Sequence, residues 1–407
     1  MTGAARTPID ICIIASGDWA AFSRVNCHEI AARWTAFGRV CYVEPAPMRA
    51  PRPHDARRMV GRLSEVVAGD GPRGGRTEPS SVEVVSPLFL PWHPNSMVRA
   101  WNVRAAVRAV RRKASSLAWP LSFDVLWFFS VSLAGLEARI PHRLVIYHAV
   151  DDYAANPGVR PELLRLREEE LLRRTDLVFA ASEPLAERLR KKHPQVSTWE
   201  NVSDTDALMA DVDKQRLPRG PSDPPTAVYV GNLADHKVDF ALLLQVVQRM
   251  RGWSFILGGP VGRMGGAGRQ VLREPNVRYV GPVPRADLAR TLANADAALL
   301  PLPDSSLHES SFPMKVLDYL AVGLPIVGRR AASLRGFGDL IQHAVTAGDY
   351  GVGLERARVL RRDAAYSARA MQVARRHSWT GRMAELERAV RDALDQRGAP
   401  KVTWLAR

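Results

Sequence analysis

Short apolar runs rich in Val, Ile and Phe alternate with longer segments of helical periodicity, and the whole alternation occurs twice along the chain. A parallel strand is buried on both faces, so it reads as a continuous apolar run. It also needs a crossover, usually a helix, before the next parallel strand can pair beside it. The pattern therefore predicts βα units and parallel sheets. In the first half the expected strands are "IDICIIAS" (9–16), "RVCYVEP" (39–45), "VEVVSP" (82–87), "DVLWFFS" (124–130), "RLVIYHAV" (143–150), "DLVFAAS" (176–182) and "VSTWEN" (196–201). A helix is expected over 161–174, where Glu168, Glu169 and Glu170 precede Arg173 and Arg174 at helical spacings. The polar, proline-rich segment "KQRLPRGPSDPPTAV" (214–228) reads as a linker. After it, "TAVYVGNL", "WSFILGGP", "VRYVGPV", "DAALLPL" and "LPIVGRR" begin the pattern again. The expected class is α/β, with two Rossmann-like doubly wound domains over residues 1–218 and 226–377. Two such domains face each other across a cleft at the C-terminal edges of their sheets, and such clefts bind small molecules.

Composition narrows the function classes. A chain of 407 residues with 46% hydrophobic and 24% charged content is that of a globular protein of two or three domains. No run approaches the ~20 apolar residues of a membrane span, and "ICIIA", cut off by Gly17 and Asp18, is too short for a signal-peptide core. Cys12, Cys27 and Cys41 form no CxxC pair and have no His-rich partner segment, so neither a zinc site nor a disulfide framework is indicated. The cytoplasm is the expected compartment. A net charge of +15 implies an anionic partner: nucleic acid, lipid headgroups or phosphorylated small molecules. The segment 49–79, rich in Arg, Gly and Pro, is expected to be a mobile loop.

The stretch "VIYHAVDDYAANPG" (145–158) ends an apolar strand on two carboxylates. Either Asp151 or Asp152 could cap the following turn, because Asp accepts from unpaired N–H groups. A carboxylate at the C-terminal end of a parallel strand also sits where open α/β sheets hold ligands, and could move a proton.

Three segments of the second half, "YVGNLADHKVDFALLLQVV", "PNVRYVGPVPRADLARTLANADAALLPL" and "SSFPMKVLDYLAVGLPIVG", together resemble the donor-binding domain of GT-B nucleotide-sugar glycosyltransferases. "AASEPLAERLRKKHPQVSTWENVSDTDAL" and "HSWTGRMAELERAV" extend the likeness over most of the chain, the latter resembling a closing helix, about 378–407, that crosses back onto the first domain. Within the superfamily, "SGDWAAFSRVNCHEIAARW", "IYHAVDD" and "SSFPMKVLDYLAVGLP" resemble enzymes of surface polysaccharide assembly, of the teichuronic-acid type and the xanthan-type β-glucuronosyltransferase type.

The resemblance implies roles. For the donor diphosphate it implies Gly231, Lys237 and Lys315, and for the ribose hydroxyls Asp318; the arginine usual after the glycine is Asn232 here. Retaining members carry Glu-x7-Glu across this stretch, but the position eight before Asp318 is Ser310, with Glu309 displaced by one. Inversion is therefore expected, with Asp151 as the base, and a retaining enzyme using Glu309 is the alternative. Asp152 is then a cap or an acceptor contact. For the acceptor, lipid-linked or glycan, the candidates are Ser16, Asp18 and Trp19 after the first strand, Arg24 and His28 four apart on the next helix, and His148 as a core residue or site wall. No essential metal and no cofactor beyond the nucleotide-sugar substrate is expected.

In "NSMVRAWNVRAAVRAVRRKASSLAW" (95–119), Val103, Val107 and Val110 share one helical stripe and Arg104, Arg108 and Arg111 the neighbouring one, with Trp92, Trp101 and Trp119 alongside. The segment suits a surface helix, or one by which the enzyme rests on an anionic bilayer, peripheral on the inner face of the cell membrane. A basic nucleic-acid-binding protein is the competing class. It is disfavoured because no RNP, KH, helix-turn-helix or zinc signature is present and the arginines are scattered over both halves.

Overall fold

The computed structural model describes residues 7–21, 24–47, 82–90, 95–155, 159–212, 215 and 223–397. The arginine-rich loop 49–79, Trp92, the Asn-Pro-Gly turn and most of the linker lie outside the described residues. The chain forms two compact domains: residues up to Trp199 together with those from Glu385 on, and Glu200–Ala384.

The first domain is a seven-stranded sheet: β1 (Ile11–Ile14), β2 (Val40–Val43), β3 (Val82–Val85), β4 (Phe123–Phe128), β5 (His142–Ala149), β6 (Leu177–Ala180) and β7 (Val196–Thr198). Their spatial order is β3-β2-β1-β4-β5-β6-β7, and every pairing is parallel. The second domain repeats this with β8 (Thr226–Val230), β9 (Ser254–Gly258), β10 (Val277–Tyr279), β11 (Ala297–Leu300), β12 (Ile326–Gly328) and β13 (Ile341–His343), in the order β10-β9-β8-β11-β12-β13. The order reverses beside β1 and again beside β8. Those reversals are the topological switch points, where loops leaving neighbouring strands part and open a crevice.

The central strands are apolar because helices cover both of their faces: Ile11, Cys12, Ile13 and Ile14 are all at 0% exposure. Of the covering helices, α1 is Asn26–Trp34, α2 is Ser96–Ser116, α3 is Pro161–Leu172 and α4 is Glu183–Arg190. Helix α2 buries Val103, Val107 and Val110 against the first core, as its stripe predicts. Each such side chain contributes about 1.5–3 kcal/mol. Trp119 is half-buried with the Arg39 guanidinium 5.1 Å over its ring, so it packs within the domain. Trp101 and Met97 stay exposed.

The domain boundary differs from the one the linker composition suggests. Helix α5 (Thr205–Asp211) and Val212 belong to the second domain, because Leu208 and Val212 bury themselves in its core. The last helix, Trp379–Asp395, begins in the second domain and ends in the first, where Arg391 donates to the Thr7 carbonyl at 3.0 Å. Among the described residues no helix is long and apolar enough to cross a membrane.

Candidate active site

Each domain gathers candidate site residues near its switch point. In the second, Gly231 follows the end of β8, and β9 ends on Gly258 with Gly259 next. The Gly231 N–H donates to the Gly258 carbonyl at 2.9 Å. A Cβ on Gly259, whose φ is +137°, would lie 1.9 Å from the Gly231 oxygen, so the two strand ends meet only because glycine stands there. Above Gly231 lies Lys315, the first residue of a helix over Lys315–Ala321. Its Nζ would be 2.7 Å from a Gly231 Cβ, donates to Tyr229 Oη at 2.7 Å and stands 4.1 Å over the Tyr229 ring. Tyr229 in turn donates its O–H to the Asn232 carbonyl at 3.3 Å, so its lone pair faces the lysine. Burial drives the Lys315 amine down to about 7, against the pull of Asp318 one turn along. Tyr319 fixes the helix to the strand by accepting from the Val230 N–H at 3.0 Å.

His308 lies in the short helix Ser306–Ser310, with Nδ1 2.7 Å from Ser305 Oγ. It is pushed down to about 4 by burial, then by the charges of Lys237, Lys315 and His236. Near neutral pH it is therefore an uncharged imidazole amid cations. Lys237 is half-buried in the turn after β8, where its N–H donates to Ala234 at 2.8 Å.

Two expected donor residues are already engaged. Asp318 accepts from Ser203 Oγ at 2.5 Å and from Arg285 at 2.9 Å, an ion pair that holds its carboxylate beside the helix. Glu309 accepts the Ala332 N–H at 2.7 Å and so satisfies a backbone donor at the start of the following turn.

The first domain's cluster is acidic and aromatic. Asp151 is half-buried just past β5, and its Oδ1 accepts the Asp152 N–H at 2.9 Å. Asp152 accepts from the Ala154 N–H at 3.3 Å and from Arg165 at 2.6 Å. The second carboxylate is thus the cap, and the first is the one carried at the strand end. Tyr153, hydrogen-bonded to Ser16, is pushed up by burial and by the neighbouring Asp151 charge. Ser16 Oγ also sits 3.6 Å from Cys27 Sγ.

The Asp18–Trp19 loop is held by its neighbours. Glu44, at the end of β2, accepts the Trp19 N–H at 2.9 Å, and Tyr42 donates to the Gly17 carbonyl at 2.6 Å. The Trp19 ring stands edge-on to Tyr42 at 4.9 Å with the Arg24 guanidinium 5.1 Å over it. Arg24 also pairs with Glu29 at 2.7 Å.

Both expected histidines prove to be buried. His28 is at 0% exposure: Nδ1 accepts the Val25 N–H at 3.1 Å, so the ring proton sits on Nε2, 2.9 Å from the Asp18 carbonyl that receives it. It braces the first loop from beneath and does not share an exposed face with Arg24. His148 is likewise at 0% exposure, boxed by Phe129 at 4.8 Å, Trp199 at 5.1 Å, Phe179 at 5.6 Å and Trp127 at 6.3 Å. It is a core residue and not an acceptor contact.

Sequence reasoning missed Tyr229, Tyr153 and Glu44. Tyr229 stands two residues before Gly231, hence on the same strand face, and is the one polar tip in an aliphatic run. Glu44 ends a strand on a carboxylate, the same signal that drew attention to Asp151.

Two parallel-sheet Rossmann-like domains, the second with a lysine amine over the glycine that follows its first strand, make up the fold of GT-B glycosyltransferases. Residues 224–372, within the second domain, match the family described as Glycosyl transferases group 1. A Bacillus subtilis (strain 168) protein described as the teichuronic acid biosynthesis glycosyltransferase TuaH is 25% identical over 223 residues, 51% of this chain and 56% of its own. The match thus spans little more than half of that relative. Anabaena Alr3699/HepE in complex with UDP and glucose is similar in fold, with TM-score 0.60 and 14% identity over 94% of this chain and 99% of that one. The E. coli trehalose-6-phosphate structure bound with UDP-2-fluoro glucose has TM-score 0.60 and 13% identity over 96% and 100%.

Proposed function

We propose that this chain is a glycosyltransferase that moves a sugar from a nucleoside-diphosphate donor to a lipid-linked or glycan acceptor in surface polysaccharide or glycoconjugate assembly. The observation that carries the reading is the Lys315 amine, poised on Gly231 and Tyr229 beside an uncharged His308. A buried amine without an adjacent free carboxylate binds a diphosphate strongly, because its hydrogen bonds become charge-assisted as the anion arrives. Lys237 adds a second cation. The UDP-bound neighbours and the teichuronic acid relative support the donor class and the setting.

The transfer is direct displacement. The acceptor hydroxyl gives its proton to the Asp151 carboxylate, its oxygen bonds to the anomeric carbon, and the carbon–oxygen bond to the diphosphate breaks. The leaving diphosphate takes the electron pair and is stabilised by Lys315 and Lys237. The product has inverted anomeric configuration. Glu309, the carboxylate of the retaining alternative, is committed to the Ala332 N–H, which favours inversion. The first domain holds the acceptor through Ser16, Asp18, Trp19 and Arg24.

The enzyme works on the anionic inner face of the cell membrane. Met97, Trp101, Arg104, Arg108 and Arg111 lie on the exposed side of α2, a helix with no acidic residue. Leu88 and Leu90 are exposed beside it, tied to the helix because Asn102 bonds both the N–H and the carbonyl of Leu90.

Thermal-shift titration with UDP, GDP and dTDP against single-stranded DNA and RNA tests the class. Stabilisation by a nucleoside diphosphate is expected; stabilisation by nucleic acid alone rejects the reading.

A further inference from the structure

Beneath the Asp151–Asp152 loop runs a chain of alternating charges that the transfer chemistry itself does not use. Asp152 accepts from Arg165 at 2.6 Å, Arg165 lies 3.6 Å from Glu168, and Glu168 accepts from Arg188 at 2.5 and 2.9 Å. Tyr147, on the same strand that delivers Asp151, donates to Glu168 at 3.1 Å. Glu168 is 6% exposed and Tyr147 1%. A small cavity lies among Tyr147, Asp152, Tyr153, Arg165 and Glu168.

Ion chains of this kind are poor sources of stability. Desolvating four charges costs as much as their attraction returns, and apolar replacements are often neutral or better. What such a chain supplies is fixed geometry, and its last member touches the strand end. Asp152 is gripped by Arg165 on one side and caps Ala154 on the other, and its backbone N–H donates to Asp151 Oδ1 at 2.9 Å. Holding Asp152 therefore orients the Asp151 carboxylate.

We propose that Arg165 is a positioning residue for Asp151, setting the orientation and proton affinity of its carboxylate through Asp152. The inference rests on the reading of Asp151 as the base. Lost orientation of the Asp152 N–H removes a bond that favours the charged carboxylate, so its titration moves to higher pH.

The test reads that titration directly, in the full chain labelled with carboxyl-13C aspartate, with the Asp151 resonance assigned by its loss in Asp151→Asn. In Arg165→Met the Asp151 midpoint is expected to rise by about one pH unit, and in Arg165→Lys, which keeps the charge but not the planar fork, by less. Arg174→Met is the control: it breaks the ion pair to Glu137 elsewhere in the domain and should leave Asp151 unmoved. Asp151 midpoints that superimpose in wild type and Arg165→Met overturn the proposal, even if the variant melts earlier. If Arg165→Met does not fold, an unmoved midpoint in Arg165→Lys does the same. The readout needs no substrate, so it stands apart from failure of the donor reading, which would appear as absent nucleoside diphosphate binding.

Discussion

The two domains thread their strands in the same order around β1 and β8, yet the loops leaving those strands carry opposite chemistry. The first places Asp18, Glu44, Asp151 and Asp152 at or just past its strand ends; the second has His236 and Lys237 in the turn after β8 and His308 and Lys315 on the helices that follow β11. The acidic end is braced by side chains bonding backbone: Glu44 to Trp19, Tyr42 to Gly17, His28 to Asp18. The basic end is braced by missing side chains, the glycines that let two strand ends and a lysine converge. The comparison teaches that the fold fixes where a site opens while individual side chains fix what it does there. A carboxylate suits proton removal, and an amine beside bare backbone suits a diphosphate.

The division of labour breaks most visibly at Asp151. Asp151→Asn keeps the shape but cannot take a proton, so turnover should fall by about 10²–10⁴-fold with donor affinity unchanged. A full-rate variant, measured as initial rate at saturating donor, removes the base assignment. Next in size is Lys315→Met. It deletes a charge-assisted bond of about 1.5–3 kcal/mol and should weaken nucleoside diphosphate binding by about 10–100-fold.

How much of this was legible beforehand depends on the kind of signal. The two parallel sheets could be read because strands buried on both faces leave uninterrupted apolar runs. The boundary could not: composition marks where the chain is polar, whereas Leu208 and Val212 decide which core the segment joins. Gly231 and Lys315 were named through the resemblance alone, and the structure brings the two together. The residues by themselves left Asp151 and Asp152 open and only the resemblance separated them, because the difference lies in Arg165, thirteen residues on and brought back by a helix. His28 was misplaced, and His148 left open between core and site wall, for a related reason. An imidazole serves as readily inside as at a surface, and only the Val25 N–H and the aromatic box reveal which.

A smaller effect sharpens the comparison through pH. The Lys315 amine, pushed down to about 7 by burial, is raised by an arriving diphosphate, so binding takes up a proton wherever the amine is neutral. Affinity should hold below pH 7 and fall above it by up to about tenfold per pH unit. Calorimetry across pH 6 to 9 checks this, and Lys315→Arg should flatten the slope. Smallest per residue is the membrane term. Arg104→Gln and Arg108→Gln should each reduce binding to vesicles containing phosphatidylglycerol by about fivefold, at ~1 kcal/mol per basic side chain. Co-sedimentation indifferent to both substitutions and to salt would remove α2 from the membrane surface.

The central claim is that the basic strand end holds the donor while the acidic one acts on the acceptor. Calorimetric titration of UDP into wild type, Lys315→Met and Asp151→Asn tests it most directly. The account predicts wild-type affinity for Asp151→Asn and an affinity about 10–100-fold weaker for Lys315→Met. Equal affinity in Lys315→Met and wild type, or a loss confined to Asp151→Asn, would contradict it.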